Sequence, residues 1–422
     1  MSMRNLVTVN DNHMRLKITW IGIFVLLFLK TVSAQNNLQQ GAWQGSLVRD
    51  DGKVICFHFD IKTENNKPVL YVINASERLR VDKIHYTKDS VFIEMPVFES
   101  FFKAKRISAK QWQGTWTKGG SVKWQVMPFS AEAQTIISQR AVKTPAADVS
   151  GRWAVTFTKA DKVGRPAIGE WQQKGNTLRG TILTPTGDYR YLSGTISGDK
   201  FELSTFDGAH AFLFTGKINN AKEIIGGIFY SGAVSAEPWV AVKNEKVTLP
   251  DVAGMYVKNG QDKLNFRFMD LNKKWVSIND SKFKNKVVVL QIMGSWCPNC
   301  MDETAFLSDY YNRNKQRGVE IIGLAYEYTT DFNRSVKSIQ KFKDRFHVQY
   351  TLLNTGVTVS DSLRTEKTLP QLTQIKSFPS TIFLDRKGRV AKVYAGFEGP
   401  GTGIHYEEMK KNFEATVDRL LK

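Results

Sequence analysis

The chain is 422 residues long, 42% apolar and 23% charged, with a formal net charge of +19. That apolar share excludes a disordered protein and leaves room for two or three packed domains. The basic excess is spread along the chain rather than gathered into an arm, so it gives a general attraction to acidic surfaces and argues against DNA or RNA as a partner.

The first element is a leader. Met14-Arg15-Leu16-Lys17 is basic, Ile18 to Leu29 is apolar, and Val32-Ser33-Ala34 supplies small residues before Gln35. Residues 1–34 therefore read as a secretory signal peptide, the apolar run being short for a spanning helix. An uncleaved leader acting as a membrane anchor is the alternative. No cysteine follows the cleavage site, so a bacterial lipid anchor is not indicated. Three cysteines in so long an exported chain also argue against a disulfide-stapled scaffold.

Gln35 to about Lys246 is built of short alternating segments divided by Gly, Asn, Asp and Lys, such as Pro68–Ile73, Ser90–Met95, Thr177–Ile182 and Lys200–Ser204. The region is expected to be all-β. It also repeats: Gly41-Ala-Trp43 recurs as Gly151-Arg-Trp153, and an Asp-led strand starts 48 residues after each glycine, at Asp89 and Asp199. Gln113-Gly-Thr115 answers to Gly226-Gly-Ile228, and Trp124 is matched to Trp239. The repeat implies two β-rich copies, 35–141 and 148–246, each a sandwich or barrel-like unit, or one structure formed by their pairing. Cys56 sits on an alternating strand as a small half-buried residue. Trp43, Trp112, Trp116, Trp124, Trp153, Trp171 and Trp239 are read as core in preference to a stacking surface for sugar or peptide. The ligand of this region is unknown, and its modest reading is a module that binds, or that positions the C-terminal domain.

After Leu249-Pro250 the pattern changes. Leu264–Met269 and Lys274–Ile278 alternate as a hairpin, and Val287–Met293 is a continuous apolar run, the mark of a strand buried on both faces. From Pro298 to about Gln316 the apolar spacing is helical. Further strands are expected at Val319–Tyr326, Tyr350–Leu353, Ser377–Leu384 and Arg389–Tyr394. Helices are expected at about Phe332–Arg345 and Tyr406–Leu421, with a polar insert from Gly356 to Gln374. The order makes a βαβαββα sheet with helices on both faces, over residues 250–422.

Trp296-Cys-Pro-Asn-Cys300 lies where the buried strand hands over to the helix. Unpaired N–H groups and the positive end of the helix dipole favour a thiolate at Cys297, and thiolate is the attacking species in disulfide exchange. Pro298 suits the first helical position. Cys300, one turn on, is placed to resolve a mixed disulfide, and Trp296 to cover the pair. The bland readings are a zinc half-site and an inert structural bridge. Zinc takes four Cys or His ligands, and only Cys56 and six scattered histidines remain, so no metal is expected.

With Trp296-Cys-Pro-Asn-Cys300, the preceding hairpin at Asp270–Ile278, and Phe378-Pro379-Ser-Thr-Ile-Phe-Leu-Asp385, the last 170 or so residues resemble the TlpA/ResA-like branch of the thioredoxin-fold family, exported thiol-disulfide oxidoreductases of bacteria. The resemblance implies a thioredoxin-like fold and a cis bond at Pro379, with Phe378 beside Cys297 and ready to pair with an extended substrate. It implies a redox-active Cys297–Cys300 disulfide in place of any cofactor, protein thiols and disulfides as substrates, and reduction by a membrane thiol electron donor. Thioredoxins carry a buried aspartate where this chain has Gln291, and Glu327 is the acid expected to compensate near Cys300. Glu303 aligns with an acid usual in the family, but acids in a helix's first turns are expected anyway. The reading is an exported protein-disulfide reductase of the periplasm or cell envelope. The alternative is a β-rich envelope binding protein whose thioredoxin-like domain is redox-inactive.

Overall fold

The computed structural model describes residues 38–134, 143–158, 164–250 and 254–422. The leader expected over residues 1–34 lies outside the described residues. The first β-rich copy holds β1 (Gly41–Val48), β2 (Val54–Glu64), β3 (Lys67–Asn74), β4 (Glu77–Val81), β5 (Lys83–Tyr86), β6 (Ser90–Glu94), β7 (Ser100–Ser108), β8 (Gln111–Lys118) and β9 (Gln125–Ala133). Their order across the sheet is β4-β3-β2-β1-β9-β8-β7-β6-β5. Successive strands are neighbours and β1 pairs back onto β9, with Trp43 opposite Ala133. The sheet thus curls into an up-and-down barrel, unlaced only where the chain bends at Asp82 between β4 and β5.

The second copy repeats the plan with β10 (Gly151–Thr158), β11 (Gly164–Lys174), β12 (Thr177–Thr184), β13 (Gly187–Asp188), β14 (Leu192–Ser197), β15 (Lys200–Phe206), β16 (Ala211–Asn220), β17 (Glu223–Ser231) and β18 (Ser235–Lys243). Here β11 also pairs with β12, which closes the ring. Gly41 and Gly151 open their barrels at φ of 101° and 114°, backbone that a side chain would strain. Trp43 and Trp153 are both fully buried, and each donates its indole N–H to the carbonyl four residues upstream, Gln39 at 2.9 Å and Val149 at 2.8 Å.

One sequence match is corrected. Trp239 pairs with Gly227 in β17, and the same register in the first barrel sets Phe129 against Gly114. Trp124 lies ahead of β9 and is 47% exposed, so Phe129 and not Trp124 is the counterpart of Trp239. The pleat fixes equivalence by register, and a shared letter a few residues away does not.

The barrels are joined. Phe206, Ala211, Leu213 and Ala233 of the second pack into the aromatic core of the first, alongside Trp43, Phe57, Trp112 and Trp116. Asn74 exchanges two hydrogen bonds with the Phe206 backbone, at 2.8 and 3.1 Å.

The C-terminal part is a seven-stranded sheet among the described residues. It contains β19 (Arg267–Asp270), β20 (Trp275–Ser277), β21 (Val287–Met293), β22 (Val319–Ala325), β23 (Thr351–Asn354), β24 (Ser380–Leu384) and β25 (Val390–Ala395), in the order β20-β19-β23-β22-β21-β24-β25. Its helices are α1 (Pro298–Asn314), α2 (Phe332–Arg345), the short α3 (Arg364–Thr368) and α4 (Ile404–Leu421). β21 shows why its run is unbroken: Val287, Val289 and Met293 enter the core under α1, while Val288, Leu290 and Ile292 enter the core on the other face. The insert from Gly356 to Gln374 is not a solvated loop. It carries α3, and Leu369 and Leu372 from it are fully buried.

Candidate active site

β21 ends at Met293, and Gly294 lets the chain turn under Trp296, whose indole stands 2.1 Å from where a β-carbon on Gly294 would lie. Cys297 is the N-cap of α1, with extended backbone, and Pro298 fills the first turn. The Cys300 N–H donates to Cys297 Sγ at 3.2 Å, so the leading sulfur takes the place a capping oxygen would have. On its other side Cys297 Sγ lies 3.5 Å from the Phe378 carbonyl, and the Phe378–Pro379 bond is cis. Trp296 donates to the Tyr326 carbonyl at 2.8 Å, stacks on Tyr328 and meets Phe378 edge-on. Cys297, Pro298, Trp296, Phe378 and Pro379 are therefore brought to one place. Both sulfurs are free thiols, Cys297 5% exposed and Cys300 fully buried.

Gln291 is in line with Val287, Val289 and Met293, so it faces α1. It donates to Glu303 Oε2 at 2.8 Å and to Thr304 Oγ1 at 3.1 Å, while Tyr350 donates to its carbonyl at 3.2 Å. Thr381 of β24 donates to the other oxygen of Glu303. Burial pushes the Glu303 carboxyl up to about 7, against the pull of these two donors. Burial likewise holds the Cys300 thiol well above its ordinary range, and Cys297 and the Glu303 charge act in the same direction. A residue that cannot ionise thus fixes the orientation of one that can.

Glu327 is placed differently from the expectation that it would serve Cys300. β22 runs parallel to β21 with Ala325 level with Met293, which sets Glu327 beside Ser295. Its two oxygens accept from the Ser295 backbone N–H and hydroxyl at 2.9 and 2.5 Å. It braces the turn two residues ahead of Cys297, and burial lifts its carboxyl to about 7. Of the two carboxylates it is Glu303 whose charge reaches the Cys300 thiol, helping to hold its proton. The signal that would have found it is strand parity, which aims Gln291 at α1.

The reading of the β-rich region as a module that positions the C-terminal domain named no residue through which the barrels reach the site. Asp188 of β13 accepts from the side chain of Asn299, between the two cysteines, at 3.2 Å. Arg190 grips Asp302 of α1 through Nε and Nη2 at 2.7 and 2.9 Å. Among the described residues no cluster of three or more His, Cys, Asp or Glu is set to hold a metal, and no helix is long and apolar enough to cross a membrane.

A dithiol on the first turn of a helix that leaves the middle of a thioredoxin-like sheet, beside a cis-proline loop, defines the class of the C-terminal part: thiol-disulfide oxidoreductase. In agreement, residues 249–411 match the Redoxin family, and this part of the chain is a Redoxin domain. It is similar to the thiol-disulfide oxidoreductases ResA of Halalkalibacterium halodurans, 26% identical over 138 residues, and of Bacillus subtilis, 25% identical over 140. These matches take in 32% and 33% of this chain and 68% and 69% of the relatives. Among solved structures, a thioredoxin-family thiol:disulfide interchange protein from Chlorobium tepidum aligns over 40% of this chain and 100% of its own, at 16% identity and a TM-score of 0.29.

Proposed function

We propose that this chain is an exported reductase of protein disulfides, with Cys297 as nucleophile and Cys300 as resolving thiol. The observation that carries this reading is the Cys297 sulfur at the N-cap of α1, 3.2 Å from the Cys300 N–H and 3.5 Å from the Phe378 carbonyl. The Cys300 N–H is a helix-end donor aimed at the sulfur that is to attack. The Cys297 thiolate attacks one sulfur of the substrate disulfide, the S–S bond breaks, and the departing sulfur leaves as a thiolate that takes a proton from water. Cys300 then gives its proton to the Glu303 carboxylate and attacks Cys297 Sγ. The mixed disulfide breaks and the second substrate thiol leaves. The dithiol has then given two electrons to the substrate and remains as a Cys297–Cys300 disulfide. An external dithiol donor restores the pair. The family resemblance implies a membrane thiol carrier for that step, and the leader implies the periplasm or cell envelope of a bacterium.

The second reading, a β-rich binding protein with an inert dithiol, draws on the small exposure of Cys297. One experiment separates them. Protein charged with dithiothreitol and freed of it should reduce glutathione disulfide. Cys297→Ser should abolish that turnover, and Cys300→Ser should accumulate a mixed disulfide visible by mass spectrometry. Turnover by Cys297→Ser at the wild-type rate would overturn the mechanism.

A further inference from the structure

The dithiol face of the redox domain is not free. Phe98, on the turn between β6 and β7, and Ala209, on the turn between β15 and β16, are 3% and 2% exposed although both sit at loop tips. Loop tips ordinarily face water. These two, with Val97, instead belong to the apolar cluster that contains Cys297, Cys300 and Met301, with Trp296 and Phe378 packed against it. The two tips are tied together, since Ser100 donates to the Gly208 carbonyl at 2.5 Å.

Clamps stand on either side of this contact. On one side Asp188 takes hydrogen bonds from Asn299 and from the Gly399 N–H at 3.2 and 2.8 Å, and Arg190 forks Asp302. On the other, Glu99 accepts from Arg334 and Ser338 of α2 at 2.8 and 2.9 Å, and Glu94 pairs with Lys341 at 2.7 Å. Between them a cleft of about 20 Å³ remains beside Trp296, with Phe98, Lys118 and Ala209 on its barrel wall. That is room for little more than a water molecule. A protein substrate needs a surface of roughly 800 Å² and an extended segment laid along the Phe378 backbone, and the barrel tips occupy that ground.

We propose that the paired barrels are a docked cap that keeps protein disulfides from Cys297 until the clamp beside Phe98 and Glu99 opens. The inference rests on Cys297 being the redox nucleophile, and the test keeps the two apart. In a Cys56→Ala background, the reduced full-length protein is reacted with iodoacetamide and with a poly(ethylene glycol)-maleimide, and it is assayed on glutathione disulfide and on insulin. Phe98→Ala and Glu99→Ala each loosen the cap without touching the cysteines.

The expected result has three parts. Each variant raises the maleimide-to-iodoacetamide rate ratio at Cys297 at least tenfold. Insulin reduction rises in parallel, and by a larger factor than glutathione disulfide reduction does. A change in the ratio of less than twofold in both variants would overturn the cap, as would a parent protein whose ratio of rates with the two reagents equals that of a free cysteine. If neither the parent nor either variant reduces glutathione disulfide, the redox reading itself is overturned, and the cap with it.

Discussion

Glu303 lies one helical turn beyond Cys300 and is held from two strands, by Gln291 of β21 and Thr381 of β24. Its carboxyl titrates at about 7 because burial disfavours the charge. Below that pH it is protonated and cannot take the proton of Cys300, so the resolving step should quicken as pH rises through about 7. Glu303→Gln is expected to slow the decay of the mixed disulfide about a hundredfold and to flatten its pH profile, a general base contributing at least that much. Stability moves the other way. A carboxyl raised from 4.5 to about 7 by folding leaves the folded state holding the proton longer, so its contribution is whole below pH 4.5 and is lost as pH rises through 7. Relative to Glu303→Gln, the wild type should lose about 3 kcal/mol across that window, read from urea unfolding at fixed pH values. The cysteine pair and Phe378-Pro379 were legible because their chemistry is local in sequence. Glu303 was visible but discounted as one more acid near the start of a helix, although as the sixth residue of α1 it lies beyond the first turn, where the helix dipole acts.

At the scale of the element, register carries the information that composition lacks. The duplication was readable from Gly41 and Trp43 against Gly151 and Trp153, because a left-handed glycine followed by a buried indole serves the same local purpose in each barrel. The pairing of Trp124 with Trp239 failed because nothing in the letters states which residue opposes which. Gly114 makes the point testable. It crosses β7 so closely that an added β-carbon would lie 2.0 Å from the Lys103 carbonyl oxygen, backbone that cannot step aside. Gly52 has a φ of 79° but nothing within 4 Å of the same position. Gly114→Ala should therefore cost about 3 kcal/mol by overpacking, and Gly52→Ala only about 1 kcal/mol of backbone strain. Equal midpoints in urea would show that β7 and β8 have room to part at this crossing.

Over the whole molecule, a single cation joins the three parts of the chain. Arg190 belongs to the second barrel, is 4% exposed at its side chain, and meets Glu77 of the first barrel at 2.6 Å, Asp207 of its own at 3.4 Å and Asp302 of α1 at 2.7 Å. Burial works against its charge, but Asp302 and Glu77 outweigh it and hold the guanidinium well above its ordinary range. No sequence pattern announces such a junction: Asp302 is 112 residues from Arg190, and hydrophobic period reports only which face an element buries, not which element covers it. Removing one member of a buried charge cluster strands the others, and that penalty, rather than the lost contact, dominates. Arg190→Ala should cost about 3–5 kcal/mol and split unfolding into two transitions, the redox domain followed separately by hydrogen exchange of the β21 amides. Taking Asp302 to Asn in the same protein removes one stranded carboxylate and should recover part of the midpoint while leaving the two transitions apart. If the double variant is no more stable than Arg190→Ala, the cluster is solvated in solution and Arg190 does not couple the barrels to the dithiol helix.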